Sequence, residues 1–245
     1  MTVVFVHGVP ETERVWDAVR AELGRDDVVA VSLPGFGSPL PEGFVASMDA
    51  YAVWLIAELE RVGEPVDLVG HDWGGGFTFR LVSLRPDLVR TWATDAAGLA
   101  DPDFEWHDFA KLWQTPGDGE AFMETWLALS SDDRAATFAT GGPPTDSARA
   151  MADALDRTMT DAILALYRSA AKVQDEWGPD FVAIPKPGLV VVPSEDPFLN
   201  ADAARRSAAR AGAQVAELPG QGHWWMLGDP SGAARLLDGF WQSAG

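Results

Sequence analysis

The 245-residue sequence contains no cysteine, which excludes disulfides, thiol nucleophiles and thiolate metal sites together. Tyrosine is scarce at two residues and histidine numbers four. Basic residues are few as well: 18 Lys plus Arg stand against 37 Asp plus Glu, a formal charge of −19. Such a surface repels phosphate backbones and anionic lipid, which argues against nucleic acid and membrane as partners. The opening MTVVFVHG has no basic flank, and its apolar run is too short for a signal peptide or a membrane span. A cytoplasmic protein is expected. No ligand cluster shows metal spacing, so neither a metal nor a cofactor is expected.

What is present reads as a globular α/β protein. Hydrophobic residues at 47% and charged residues at 22% match the average soluble domain and argue against disorder. The first hundred residues alternate short β-rich runs with helical patterns, the signature of a parallel sheet. VVFV (3–6) and VVAV (28–31) predict strands, as do the run before Asp72 and a stretch near 89–96. Helices are predicted over residues 13–23, from about Ser47 to Arg61 and from about Gly74 to Ser83. GLVVV (188–192) restarts the pattern, followed by helices after Asn200 and after Pro230. Residues 98–185 differ: they are helical, rich in aromatics, and broken at TPGDG and GGPP. The chain therefore divides into a sheet domain of residues 1–97 and 186–245 and a helical insertion of residues 98–185. In open α/β sheets ligands bind beyond the carboxyl ends of the strands, where such an insertion can form a roof.

The stretch VDLVGHDWGGG (66–76) runs a strand into a glycine-rich turn with Asp72 at its apex. Small residues stand two before and two after Asp72, as a sharp strand-to-helix turn requires. With HGVP (7–10), LPGFG (33–37), GHDWGG (70–75), DPF (196–198) and GQGHWW (220–225) in this order, nearly the whole chain resembles the α/β-hydrolase superfamily. It is most similar to the aspartate-nucleophile branch of epoxide hydrolases and haloalkane dehalogenases. The resemblance implies a mostly parallel central sheet flanked by helices, with an inserted helical cap. The sheet is expected to start at the strand leading into the oxyanion loop, without the two antiparallel-side strands that often precede it.

The acid at the apex has a chemical meaning. A serine alkoxide attacking a saturated carbon leaves an ether, which an oxyanion hole does not help to hydrolyse. A carboxylate leaves an ester whose carbonyl carbon is its own, and water can add there. By resemblance, the amides of Val9 and Trp73 form the oxyanion hole, Pro10 holds the turn, commonly through a cis peptide, and His7 supports the loop. His223 follows the acid in the order nucleophile, acid, histidine and is the candidate base. His7 and His71 lie inside turn motifs, and His107 lies in the insertion. Asp196, in a strand-acid-Pro context, is favoured to orient His223. Asp95, at the end of the strand before the insertion, is the alternative acid.

Opening an epoxide generates an alkoxide that needs an acidic hydrogen-bond donor. Epoxide hydrolases usually supply a pair of cap tyrosines, one in a Tyr-Arg dipeptide, and LYRS provides Tyr167 and Arg168. Tyr51 lies outside the cap, so the second tyrosine is missing, and His107 is the candidate replacement. The bland readings are a core aromatic for Tyr167, a half-exposed helix residue for His107, and tryptophans that pack the insertion's own core. Trp106 and Trp113 join Trp73, Tyr167 and His107 as candidate substrate contacts. The expected activity is conversion of an apolar or aromatic epoxide to a vicinal diol through an Asp72 ester. The alternative is a haloalkane dehalogenase with the Trp73 indole on the halide, although many of these carry Asn or Glu where Val9 stands. Fluoroacetate dehalogenases usually follow the nucleophile with Arg, not Trp. A non-catalytic ligand-binding descendant is disfavoured because all three triad candidates survive. The expected partner is a small apolar molecule, and the chain is expected to be a monomer or homodimer.

Overall fold

A computed structural model describes residues 2–244 of the chain. VVFV forms β1 (Val3–Val6), fully buried along its length, as an apolar run must be when helices cover both sheet faces. β2 (Val28–Val31), β3 (Val66–Gly70), β4 (Val89–Thr94), β5 (Gly188–Pro193) and β6 (Gln214–Leu218) complete a six-stranded sheet of order β2-β1-β3-β4-β5-β6. Every neighbouring pair is parallel. β6 has no counterpart among the strands predicted above. QVAEL is an edge strand with no fully buried residue, so it lacks the continuous apolar run that marks the inner strands.

The predicted helix over 13–23 is a 3-10 turn, Glu13–Trp16, followed by α1 (Asp17–Leu23). α2 (Met48–Val62) begins at Ser47, whose hydroxyl accepts the Ala50 N–H at 3.2 Å, satisfying one of the free donors of the first turn. α3 (Trp73–Leu84) starts directly after Asp72. The chain steps one way from β1 to β2 and the other way from β2 to β3, so right-handed crossovers put α1 and α2 on opposite faces. The crevice at this reversal lies at the carboxyl ends of β1 and β3, where open α/β sheets bind ligands. The HGVP loop and Asp72 occupy those two ends.

Between β4 and β5 run α4 (Asp108–Gln114), α5 (Asp118–Ala128), α6 (Ser131–Ala139), α7 (Thr145–Ala154), α8 (Arg157–Ser169) and α9 (Val173–Glu176). α8 is amphipathic and buries Met159, Ile163, Leu166 and Tyr167 on one face. Its end is tied to the start of α2: the Ser169 hydroxyl accepts the Met48 N–H at 2.8 Å, and the Trp177 indole donates to Asp49 at 2.9 Å. α10 (Ala201–Ala211), α11 (Trp225–Gly228) and α12 (Pro230–Ser243) follow β5, and α12 packs on α1. Arg206 on α10 grips Asp101 through two bonds of 2.8 and 2.9 Å. Among the described residues no helix is long and apolar enough to cross a membrane.

Candidate active site

Asp72 takes φ 51° and ψ −123°, a conformation that costs a non-glycine residue about 1–3 kcal/mol and persists only where neighbours enforce it. Those neighbours are backbone. A Cβ on Gly70 would lie 2.2 Å from the Gly74 carbonyl oxygen, and one on Gly74 would lie 2.4 Å from the Val6 carbonyl oxygen. The turn closes because both positions lack a side chain. The Asp72 N–H donates to Asp95 Oδ1 at 2.8 Å, fastening the apex to the end of β4. Asp72 Oδ1 accepts the Val9 N–H at 2.8 Å, and the adjoining Trp73 amide favours the charged carboxylate. The Val9–Pro10 peptide is cis. Burial raises the Asp72 pKa to about 6, against the pull of His223, His71 and the Trp73 amide.

His223 meets Asp196, not Asp95. Its Nδ1 lies 2.9 Å from Asp196 Oδ2, and its Nε2 faces Asp72 Oδ2 at 3.9 Å. The second oxygen of Asp196 accepts the Phe198 N–H at 2.8 Å. Burial opposes the charge on both groups, yet their mutual hydrogen bond and attraction raise the His223 pKa and lower that of Asp196. Asp95, the alternative partner weighed for His223, has both oxygens engaged elsewhere. Besides the Asp72 amide it takes His71 Nδ1 at 2.5 Å and the Trp225 indole N–H at 2.8 Å.

Sequence reasoning missed Glu11. Its Oε1 meets His71 Nε2 at 3.1 Å and accepts the Trp224 indole N–H, and its Oε2 accepts the Gly8 N–H at 3.1 Å. Both nitrogens of His71 thus face carboxylates, which accept but do not donate when ionised, so the ring is held as an imidazolium. Burial disfavours every charge here; the Asp95 and Glu11 charges nonetheless lift the His71 pKa well above 6.5, and His71 draws Glu11 down to about 2. One fully buried carboxylate therefore ties together the loops carrying Val9, Asp72 and His223. The available signal was an acid directly after HGVP together with a histidine before the nucleophile; neither is informative until the loops meet. Glu11, His71 and His223 bring ligand-type atoms within 4.8 Å of one another, but His71 and Glu11 are fully engaged with protein groups, so the cluster is an ion-pair network. His7 is separate: its Nδ1–H donates to the Gly8 carbonyl at 2.9 Å, and its Nε2 accepts the Leu33 N–H at 3.1 Å. Burial lowers its pKa, in keeping with a neutral ring that supports the loop.

Above this polar floor lies a cavity of about 170 Å³ walled by Trp113, Trp126, Phe138 and other aromatics, with Asp72, His223, Tyr167 and His107 on its lining. Tyr167 is buried and packs edge-on against Trp73, with ring centroids 5.6 Å apart. Burial raises its pKa well above 10.0, and the nearby Asp72 charge adds to that. His107 caps α4 through its ring: Nδ1 accepts the Ala110 N–H at 3.2 Å. The proton of the neutral ring therefore sits on Nε2, and burial keeps the ring neutral by lowering its pKa to about 4. Tyr167 and His107 lie with ring centroids 6.4 Å apart. Trp113 packs edge-on against Tyr167 at 4.8 Å. The Trp106 indole N–H donates to the Ala170 carbonyl at 3.0 Å, and its ring lines a second cavity of about 50 Å³. Arg168 pairs with Glu120 at 2.7 Å through both nitrogens and lines neither cavity.

A model described as the alpha/beta hydrolase family matches residues 3–236. Among solved structures, the haloalkane dehalogenase DbeA from Bradyrhizobium elkani superposes with a TM-score of 0.75 at 22% identity, covering 99% of this chain and 91% of that one. Epoxide Hydrolase A from Mycobacterium thermoresistibile gives 0.75 at 21% identity, covering 98% and 91%. A stretch of 88 residues, 36% of the chain, is 35% identical to Lipase LipV of Mycobacterium tuberculosis and spans only 33% of that relative's length.

Proposed function

The chain belongs to the alpha/beta hydrolase family, and within it we propose an epoxide hydrolase that acts on apolar or aromatic epoxides. The observation that carries this reading is the pair of neutral donors, Tyr167 and His107, lining the same aromatic cavity as the Asp72 carboxylate. An opening epoxide needs such donors at its oxygen. Residues 98–185 act as the cap that supplies them, and residues 1–97 and 186–245 act as the catalytic domain.

The roles follow from which oxygen faces what. Oδ1 of Asp72 sits on the Val9 amide, so Oδ2, nearer His223, attacks the epoxide carbon. The C–O bond of the ring breaks, and its electron pair takes a proton donated by Tyr167 or His107. In the resulting ester Oδ1 is the carbonyl oxygen. Water, deprotonated by His223 Nε2 while Asp196 stabilises the imidazolium, adds to Asp72 Cγ. The negative charge develops on Oδ1, against the Val9 and Trp73 amides. Cleavage of the Cγ–Oδ2 bond releases the diol as His223 returns its proton to the leaving oxygen, and the second proton of the water, left on the Asp72 carboxyl, restores the donor that protonated the ring oxygen.

Haloalkane dehalogenase is the second reading. One observation favours it: the Trp113 indole N–H is buried with no hydrogen-bond partner, as a halide ligand would be. Against it, the Trp106 indole already donates to Ala170. Offering styrene oxide and 1-bromobutane separately decides between them, with Asp72→Ala as control. Diol without bromide is expected; bromide without diol overturns the epoxide reading. A single turnover in ¹⁸O-labelled water is expected to label Asp72 and leave the diol unlabelled, and an unlabelled Asp72 overturns the ester.

A further inference from the structure

Two cavities flank the Asp72 carboxylate, and Asp72, His107, Phe198 and His223 are the residues common to both linings. Phe198 is the wedge between them: its ring centroid lies 4.9 Å from that of His107 and 5.0 Å from that of His223. The two sides differ in size. The larger, of about 170 Å³, is mostly aromatic, and a dry cavity of about 150 Å³ is known to hold benzene. The smaller, of about 50 Å³, sets Asp95, Asp196 and Asn200 among Trp73, Leu99, Phe104 and Trp106, so it is set apart chiefly by its size. At about 30 Å³ per molecule it holds one or two waters, beside the imidazole that must activate one.

We propose that Phe198 is a specificity-determining residue that reserves the small cavity beside His223 for water and so restricts the enzyme to terminal epoxides bearing one phenyl-sized group. This rests on the epoxide reading above. A terminal epoxide presents its CH₂ to Asp72 Oδ2 and places its only substituent among the aromatics. A trans-1,2-disubstituted epoxide projects its groups to opposite sides of the ring. The second group then has to enter the small cavity, where it meets Phe198 and displaces the water that cleaves the ester. Phe198 performs this role with its ring alone, because its bond to Asp196 is made by the backbone N–H. Truncating the side chain removes the wedge and leaves that bond available.

The test compares kcat/KM for styrene oxide and trans-stilbene oxide in the native protein, Phe198→Leu and Phe198→Ala, with the melting temperature of each. The native protein is expected to prefer styrene oxide by about a hundredfold or more, since the excluded group is a whole ring. Phe198→Ala is expected to shrink that ratio at least about tenfold, with Phe198→Leu between the two. Intact-protein mass spectrometry is expected to show the stilbene-derived ester accumulating in whichever protein admits that substrate without its water. A native ratio near one overturns the inference, and so does a ratio that Phe198→Ala leaves within about twofold at an unchanged melting temperature. If styrene oxide gives no diol but alkyl bromides release bromide, the epoxide reading alone has failed. The same partition is then read with (2-bromoethyl)benzene and 1-bromo-1,2-diphenylethane. If no electrophile of either class loads Asp72, both readings fall together.

Discussion

The floor and the roof of the site are built on opposite principles. On the floor Glu11, His71, Asp95, Asp196 and His223 are buried or nearly so; the first four are each held by hydrogen bonds from two or more directions, and His223 is held by Asp196. The roof is a set of aromatic rings in edge and tilted contacts, and one indole N–H, on Trp113, has no partner at all. A buried charge is costly unless it is paired and hydrogen-bonded, so the floor tolerates little displacement and fixes where charge develops. Ring contacts are individually weak and roughly interchangeable, so the roof sets volume and can vary. On the proposed reading the mechanism is written in the floor and the choice of substrate in the roof, to which Tyr167 and His107 lend polar groups.

That contrast breaks most sharply at Asp196. Asp196→Asn is expected to cut turnover by about 10⁴-fold, as loss of the orienting acid does in other triads. The alkyl-enzyme ester should accumulate, read by intact-protein mass. Asp95→Asn is expected to lower the melting temperature and to leave no such accumulation. Equal ester build-up in both variants would mean that Asp95 shares the triad role.

Next in size is Glu11→Gln, which leaves His71 short of one counter-charge. It is expected to destabilise the fold by about 3–5 kcal/mol, as breaking a buried ion pair does. Glu11 has its pKa depressed from 4.5 to about 2, so its contribution is present above 4.5 and is lost as pH falls through about 2. His71 has its pKa raised above 6.5, so its contribution is complete below 6.5 and is lost as pH rises through the raised value. Denaturant unfolding should therefore show the largest gap between native protein and variant from pH 4.5 to 6.5. A gap that persists unchanged at pH 2 would contradict the pairing.

The smallest expected effect sharpens the roof's part. Tyr167→Phe keeps the ring and removes the proton, and is expected to lower kcat/KM for styrene oxide by about a hundredfold, because His107 retains one donor. A fall confined to KM would instead assign Tyr167 to packing. In both proteins kcat/KM, which reports alkylation of Asp72, should drop below about pH 6 as Asp72 becomes protonated, whereas kcat, which also needs a neutral His223 with its pKa raised above 6.5, should begin to fall at higher pH. His107, with its pKa near 4, stays neutral across that range.

Much of the frame was legible because it is local. Uniform burial writes itself as apolar runs, and β1 and β5 stand where VVFV and GLVVV occur. A strained apex demands glycine at fixed offsets, and Gly70 and Gly74 flank Asp72 accordingly. β6 was illegible because an exposed edge strand needs no such run. Glu11 was illegible for a different reason: an isolated acid in a loop reads as a solvated charge, and only its burial against His71 and Trp224 turns it into a hub. Phe198 looked like one aromatic among twelve Phe residues until two cavities were found on either side of it.

By itself the sequence determined that this chain folds as an α/β hydrolase with a carboxylate at the elbow, since hydrophobic period and turn stereochemistry act over a few residues. Only the tertiary structure decided that His223 lies against Asp196 while Asp95 serves the elbow and His71. Two aspartates at strand ends are chemically identical, and what separates them is which loop the sheet order brings within 3 Å of each. The same long-range packing put Tyr167, His107 and Phe198 around one carboxylate, where a donor pair and a wedge acquire meaning.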